Sequence, residues 1–267
     1  MVQDLAVVFD HVSLAFDDKV ILKDVSFTLR AGRTKIILGA SGAGKSITLK
    51  ILLGFLKPDH GTVWVNGQRV DALAEEEMMV VRADLGMVFQ EGALFDSLTV
   101  RENVGYRLYE ETSLPLGDVD RRVDEVLGFV GLGEFSERMS SELSGGQRRR
   151  VAIARAMASK PKILLYDEAT TGLDPITAMT VNDEIVKLRD IEAVTSIVVT
   201  HQLRDAFYVA THAATREPHA GIRIAEAGRE KEQETEFLML RDGLIVFEGD
   251  AGALRHSTDD YLKTFLS

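Results

Sequence analysis

Cysteine is absent from this sequence of 267 residues, which excludes disulfides, thiolate catalysis and cysteine-ligated metal and agrees with a reducing compartment. Any metal must be held by oxygen or histidine. No apolar run reaches the roughly eighteen residues that span a bilayer, and the N-terminus lacks the basic-then-apolar pattern of a signal peptide. The expectation is a cytosolic chain. Positive charge is in deficit: 31 Lys and Arg face 42 Asp and Glu, a net charge of -11. That balance disfavours non-specific binding to nucleic acid or to an anionic membrane surface. The length suffices to bury a sizeable core and favours one domain with two lobes.

What is present is organised around Gly39-Ala40-Ser41-Gly42-Ala43-Gly44-Lys45-Ser46, which fits the phosphate-loop pattern of glycine, four free positions, glycine, lysine and serine. Its glycines admit backbone dihedrals closed to other residues, so successive N–H groups turn inward around phosphates at the positive end of the following helix. Thr34 to Leu38 reads as the buried strand before the loop, and Lys45 to Phe55 as the helix after it. That context points to a nucleotide site, with Lys45 on the outer phosphates and the Ser46 hydroxyl on a magnesium ion that bridges two phosphate oxygens.

Upstream, Val12 to Phe16 and Val25 to Leu29 alternate as antiparallel strands split by an Asp17-Asp18 turn. Phe16 on such a layer either stacks under an adenine ring or packs as an ordinary strand residue. Gly61 to Val65 with Asn66-Gly67 signals a hairpin, and Leu85 to Phe89 a strand ending at Gln90. Thr99 and Glu102 make a capping box that starts a helix. Val119, Val123, Val126, Leu127 and Val130 recur at helical spacing and stop at Gly131 and Gly133, marking an inserted helical lobe.

Ser144-Gly145-Gly146-Gln147 opens a helix rich in alanine and arginine and offers a second anion site. Ile163 to Tyr166 reads as a central parallel strand delivering Asp167-Glu168 to its carboxyl end, where ligands of open α/β sheets collect. There Asp167 supports magnesium and Glu168 faces an attacking water. Asp174-Pro175 starts a helix running to about Asp190, with capping the plainest role of the aspartate. Thr195 to Thr200 is another buried parallel strand, ending at His201 on the same side of the sheet.

These motifs together are similar to an ATP-binding-cassette ATPase from about Ala6 to Gly249, because the phosphate loop, the Leu143 to Gln147 signature, Asp167-Glu168 and His201 occur in that family's order. The resemblance implies an α/β fold of phosphate-loop NTPase type: a mixed, largely parallel central sheet, an antiparallel β-subdomain and an inserted α-helical subdomain. The domain would span residues 1–249, with the helical part at about 91–160. The resemblance further implies Phe16 as the adenine-stacking aromatic, and Gly39, Ala40, Ser41, Gly42, Ala43, Gly44, Lys45, Ser46 and Ile47 as the nucleotide-binding set. Gln90 becomes the Q-loop residue, a magnesium ligand beside Ser46 and Asp167 and, with Glu168 and His201, part of the catalytic set. Asp174 falls in the D-loop, while Ser144, Gly145, Gly146 and Gln147 face the ATP of a partner protomer. Phe16 replaces the commoner tyrosine and Ile47 the threonine that often follows the serine; stacking survives the first change, and the second touches no expected ligand.

Phe89 to Val100 and Asp167 to Pro175 are similar to ATPases of Mla and MCE phospholipid transport systems. The implied protein is the ATP-hydrolysing, magnesium-dependent subunit of a membrane transporter. It would work as a homodimer, peripheral on the cytoplasmic face of the inner membrane, with its permease on separate integral-membrane chains. An MCE-type substrate-binding protein and a small cytoplasmic regulatory subunit are further expected partners; nucleic acid is not one. The loop Glu91 to Thr99, with apolar Leu94, Phe95 and Leu98, is expected to receive the permease, unless those side chains pack between the lobes. The alternatives are the ATPase of an amino-acid or metal importer and a soluble ATPase of iron–sulfur assembly type.

Two stretches stand apart. Thr215 to Glu236 holds six acids and four basic residues without apolar periodicity and reads as a solvated, mobile insertion that proteases cut first, with a partner-binding arm as the alternative. Leu254, Tyr261, Leu262, Phe265 and Leu266 put an apolar stripe on a helical tail of residues 250–267, for packing on its own domain or for binding another subunit.

Overall fold

The structure, a computed structural model, describes residues 4–217 and 221–266. The first three residues of the expected domain, residues 218–220 of the expected insertion and Ser267 of the expected tail lie outside it. The chain opens with β1 (Leu5–Phe16) and β2 (Lys19–Arg30), then β3 (Thr34–Leu38), α1 (Lys45–Leu52), the hairpin β4 (His60–Val65) and β5 (Gln68–Arg69), α2 (Glu75–Ala83) and β6 (Leu85–Val88). Three helices follow inside the segment expected to be helical: α3 (Val100–Glu111), α4 (Leu116–Phe129) and α5 (Gly145–Ala158). The chain then returns to strands with β7 (Ile163–Asp167), α6 (Pro175–Ile191), β8 (Thr195–Val199) and α7 (Leu203–Thr211). It ends with β9 (His212–Glu217), β10 (Gly221–Glu226), α8 (Arg229–Glu232), β11 (Thr235–Arg241), β12 (Leu244–Gly249), α9 (Ala251–Arg255) and α10 (Asp260–Leu266).

The central sheet has strand order β12-β11-β3-β8-β7-β6, parallel except for the β11–β12 hairpin. An antiparallel sheet, β2-β1-β4-β5, covers one face. Alternation along the central strands explains the two-sided burial. Ile36, Leu38, Leu164, Tyr166 and Val198 enter the core shared with the helices, while Ile37, Ile163, Leu165, Ile197 and Val199 enter the core shared with the antiparallel layer and α1. Strands buried on both faces read as continuous apolar runs, as Ile163 to Tyr166 does and, after Thr34 and Lys35, Ile36 to Leu38. This is the α/β fold, with its mixed sheet, antiparallel layer and inserted helices, that the sequence implies.

Helix α2 was not evident from apolar spacing. Its signal is chemical: the Glu77 carboxylate accepts from the Ala74 N–H at 2.8 Å, in a first turn of three glutamates that favours the helix dipole.

Residues 215–236, expected to be a solvated insertion, carry regular secondary structure. They hold most of a β9–β10 hairpin, helix α8 and the first two residues of β11, and the hairpin lies on α6. The anchor is a charge network that the polar composition conceals. Asp190 accepts from the Arg189 guanidinium at 2.7 and 2.9 Å, from the Ala214 N–H at 2.7 Å and pairs with Lys231 at 2.9 Å. Arg189 also donates to the Val209 and His212 carbonyls, each at 2.6 Å. Burial alone would raise the Asp190 pKa, but Arg189, with Ala214 and Lys231, holds it below the ordinary carboxylate range. Its contribution to stability is therefore present above that range and is lost as pH falls through it. Asp190→Ala is expected to cost about 3–5 kcal/mol, because it strands a buried guanidinium. Denaturant unfolding checks this, and a cost below about 1 kcal/mol, the level of an exposed pair, would contradict it.

The C-terminal stripe is covered by its own domain. Leu254 and Leu262 are buried in the helical core, and Tyr261 and Phe265 pack against it; the Leu266 side chain is outside what the structure describes. Arg241 stacks over the Tyr261 ring, 4.2 Å from its centroid, which ties α10 back to the end of β11. Among the described residues no helix is long and apolar enough to cross a membrane.

Candidate active site

Strand β3 ends at Leu38, and the chain turns sharply at Gly39 (φ 152°), where an added Cβ would stand 2.4 Å from the Leu240 carbonyl oxygen of β11. Gly44 caps α1 at φ 103°, with Leu22 only 2.7 Å from where its Cβ would lie. Glycine at these two points lets the loop pass between strands and still aim N–H groups along the start of α1. Lys45 begins the helix, buried. Its ammonium donates to the Gly39 and Ala40 carbonyls at 2.8 and 3.1 Å and lies 3.5 Å from Glu168 Oε1. One residue on, Ser46 Oγ donates to Asp167 Oδ1 at 2.8 Å.

Asp167 ends β7, and Glu168 follows in a left-handed conformation, φ 50°, its N–H donating to the Val199 carbonyl of β8 at 2.9 Å. A non-glycine residue held there is a strained backbone that its surroundings must enforce. The turn aims the carboxylate at Lys45 instead of continuing the strand. Glu168 Oε2 accepts from the Thr171 hydroxyl at 3.0 Å and lies 2.9 Å from His201 Nδ1. Partial burial pushes the Glu168 pKa up, but the hydrogen bonds from His201 and Thr171 and the nearby charge outweigh it and hold the group below the ordinary carboxylate range. Asp167 goes the other way, raised chiefly by burial against the opposing hydrogen bond from Ser46.

A crevice of 390 Å³ is lined by Ser41, Gly42, Lys45, Ser46, Gln90 and Glu168, among others. Gln90 also lines a neighbouring crevice of 630 Å³ that includes Gly145, Arg149, Thr171 and Gly172. Structure thus gathers Lys45, Ser46, Gln90, Asp167, Glu168 and His201 at the carboxyl ends of β3, β6, β7 and β8. Lys19 and Ile21 of β2 complete the first crevice; Phe16, across the turn from Lys19, is 44% exposed, leaving its ring face open to stacking. Ile47 packs on the core beneath the antiparallel layer.

Ser144 to Gln147 do not line the phosphate-loop crevice. Ser144 caps α5, its hydroxyl accepting from the Gln147 N–H at 3.3 Å while its own N–H donates to the Gln147 side chain at 2.9 Å. Gly146 packs so closely on α6 that a Cβ would meet Thr177 Cγ2 at 2.1 Å. Asp174 caps α6, accepting from the Ile176 and Thr177 N–H groups at 3.1 Å each.

Magnesium fits this donor set. Among the described residues no group of three or more His, Asp or Glu stands together, so an all-protein cage is not offered. A hydroxyl hydrogen-bonded to a carboxylate beside a phosphate loop suits a small hard cation that takes its remaining ligands from phosphate and water. Two residues escaped sequence reasoning. Thr171, which holds Glu168, lies inside the quoted Asp167 to Pro175 stretch but carries no periodic signal. Arg149, which reaches the same turn, is one of three consecutive arginines with nothing local to single it out.

Residues 22–171 match the family described as ABC transporter. The chain is 43% identical to protein TRIGALACTOSYLDIACYLGLYCEROL 3, chloroplastic, of Arabidopsis thaliana, covering 98% of this chain and 73% of that protein. It is 34% identical to the intermembrane phospholipid transport system ATP-binding protein MlaF of Escherichia coli K12, covering 96% and 86%. Methionine import ATP-binding protein MetN of the same organism is 42% identical, covering 68% of this chain and 53% of that protein. Among solved structures, the ATP-binding cassette MJ0796, a dimer in a post-hydrolysis state bound to ADP and Pi, superposes with a TM-score of 0.74 at 29% identity, covering 91% of this chain and 98% of that one.

Proposed function

Because the chain belongs to the ABC transporter family and is an ATPase of that family, we propose that it powers a lipid transporter as the nucleotide-binding subunit, with Glu168 as the residue that positions or activates water. The observation that carries the chemistry is that Lys45, Ser46 and Glu168 line one crevice, with Asp167 hydrogen-bonded to Ser46 at its edge. The loop N–H groups and Lys45 bind the β- and γ-phosphates of ATP. Ser46, Asp167 and Gln90 would hold Mg2+, which when bound neutralises charge on those phosphates. Glu168, ionised and steadied by Thr171 and His201, orients the attacking water, and His201 bridges it toward the transferred phosphoryl group. Phe16 stacks on the adenine, and Ser144, Gly145, Gly146 and Gln147 close over the ATP of a second copy, with Asp174 beside that seam.

The lipid cargo is supported by the likeness to the phospholipid transport ATPase; the likeness to a methionine import ATPase keeps amino-acid import as the rival reading. The permease, and with it an MCE-type binding protein, lies on other chains, and this subunit sits against the cytoplasmic face of the membrane. Purification from detergent-solubilised membranes decides the matter. Co-purification of an MCE-type protein and ATP-dependent lipid transfer between vesicles are expected, whereas an amino-acid or metal permease in their place rejects the lipid reading.

Docking of the permease is proposed at a 330 Å³ groove lined by Phe89, Phe95, Tyr106, Arg107 and Arg155, among others. Of the three apolar loop residues, Leu94 and Leu98 are half-buried; Phe95 is 44% exposed and packs on Tyr106 with ring centroids 4.6 Å apart. Phe95→Ala is expected to keep folding and ATP binding while losing most of the stimulation of hydrolysis by the permease. Unchanged stimulation would place the contact elsewhere.

A further inference from the structure

The three arginines Arg148, Arg149 and Arg150 follow one another on α5, and a helix sends consecutive side chains about 100° apart. Arg150 donates to the Val130 carbonyl at 3.0 Å, inside the helical lobe, and Arg148 lines the crevice beside Gln90. Arg149 alone turns inward and is 7% exposed. Its Nε donates to the Ala169 carbonyl at 3.0 Å and its Nη2 to the Thr171 carbonyl at 3.3 Å. Both carbonyls lie in the turn that begins at Glu168 with a left-handed residue, and the Thr171 hydroxyl in turn holds the Glu168 carboxylate.

We propose that Arg149 is a positioning residue for hydrolysis, a clamp by which helix α5 sets the place of the Glu168 carboxylate. The proposal rests on the reading of Glu168 as the group that handles water. Burying a guanidinium is costly unless its donors are used, and here burial pulls its pKa down, with Glu91, next to Gln90, the acid that opposes. The planar fork reaches two carbonyls two residues apart with two different nitrogens, which fixes the turn between them. A lysine, with its single nitrogen, cannot span both carbonyls in that way. The α5 N-cap, Ser144, lies little more than one helical turn from Arg149. A displacement of the signature end when it meets a second nucleotide is therefore passed along a rigid helix to the carboxylate of its own chain.

The test is a double-mutant cycle in the purified protein with whatever membrane subunits co-purify. Arg149→Met is expected to lower kcat by about ten- to a hundred-fold, the effect of misplacing a reacting group by a fraction of an ångström to an ångström. Its affinity for ATP, read with a fluorescent analogue, is expected to stay within about threefold. Arg149→Lys should recover part of the rate. In a Glu168→Gln background, adding Arg149→Met should change the residual single-turnover rate by less than about twofold, since no carboxylate remains to be misplaced. An unchanged kcat in Arg149→Met, or an equal loss in both backgrounds, overturns the proposal, the latter because it marks a role in packing alone. If Arg149→Met does not fold, Arg149→Lys is taken through the same cycle and the same two outcomes decide. Normal turnover by Glu168→Gln alone instead brings down the reading of Glu168 and is told apart by that single variant.

Discussion

Glu168→Gln is expected to bind ATP normally and to lose turnover by about a hundred- to ten-thousand-fold, the share of a reaction rate that a well-placed acid–base side chain supplies. The amide keeps the shape of the carboxylate and can still meet Thr171 and His201, so the turn after β7 should survive. What disappears is the negative charge. Three surroundings hold that charge in place: the Thr171 hydroxyl at 3.0 Å, His201 Nδ1 at 2.9 Å and the Lys45 ammonium at 3.5 Å. Lys45→Ala separates binding from chemistry, because it removes the cation that the loop presents to the phosphates; it is expected to weaken nucleotide affinity itself. Equilibrium binding and steady-state hydrolysis, measured on both variants, check the division of roles. Turnover by Glu168→Gln within a few-fold of the parent would end the assignment.

Ser144→Arg, placed in the Glu168→Gln protein, is expected to abolish an ATP-driven dimer. The signature residues start α5, with Ser144 as its cap, and stand away from the phosphate-loop crevice of their own chain. A serine hydroxyl and glycine N–H groups at a helix start can meet an anion only from outside, and two-fold symmetry supplies it twice. Loss of the cap alone costs about 1 kcal/mol, so Ser144→Ala serves as the control and should still dimerise, more weakly. The arginine would add bulk where the phosphate loop of the proposed second copy approaches. Light scattering at saturating ATP reads the outcome, and a dimer that persists in the Ser144→Arg protein would remove these residues from the seam.

Much of the site was legible because its signals are local. The phosphate loop declares itself through glycine spacing between a strand and a helix; Thr99 with Glu102, and Asp174 with Pro175, announce helix starts through caps that act over three residues. The order of Gln90, Asp167-Glu168 and His201 follows from each lying at the end of an apolar run, and apolar runs read as strands whatever their neighbours. Local pattern therefore determined the fold class, the nucleotide loop and the carboxylates beside it. The tertiary structure decided everything whose partner is distant in the chain. Lys35 is a charged residue in a strand that otherwise reads as buried, and it is itself fully buried, its ammonium reaching Glu236 and Glu248 at 2.6 Å each across neighbouring strands. Residues 215–236 read as a solvated insertion because what anchors them is distant in the chain: β9 and β10 pack on α6, Lys231 pairs with Asp190 and Glu234 with Arg33. Arg149 looks like its two neighbours until α5 is laid against the turn after β7. A buried charge can be tolerated only where folding delivers its partner, and composition along the chain carries no record of which residues the sheet order will bring together.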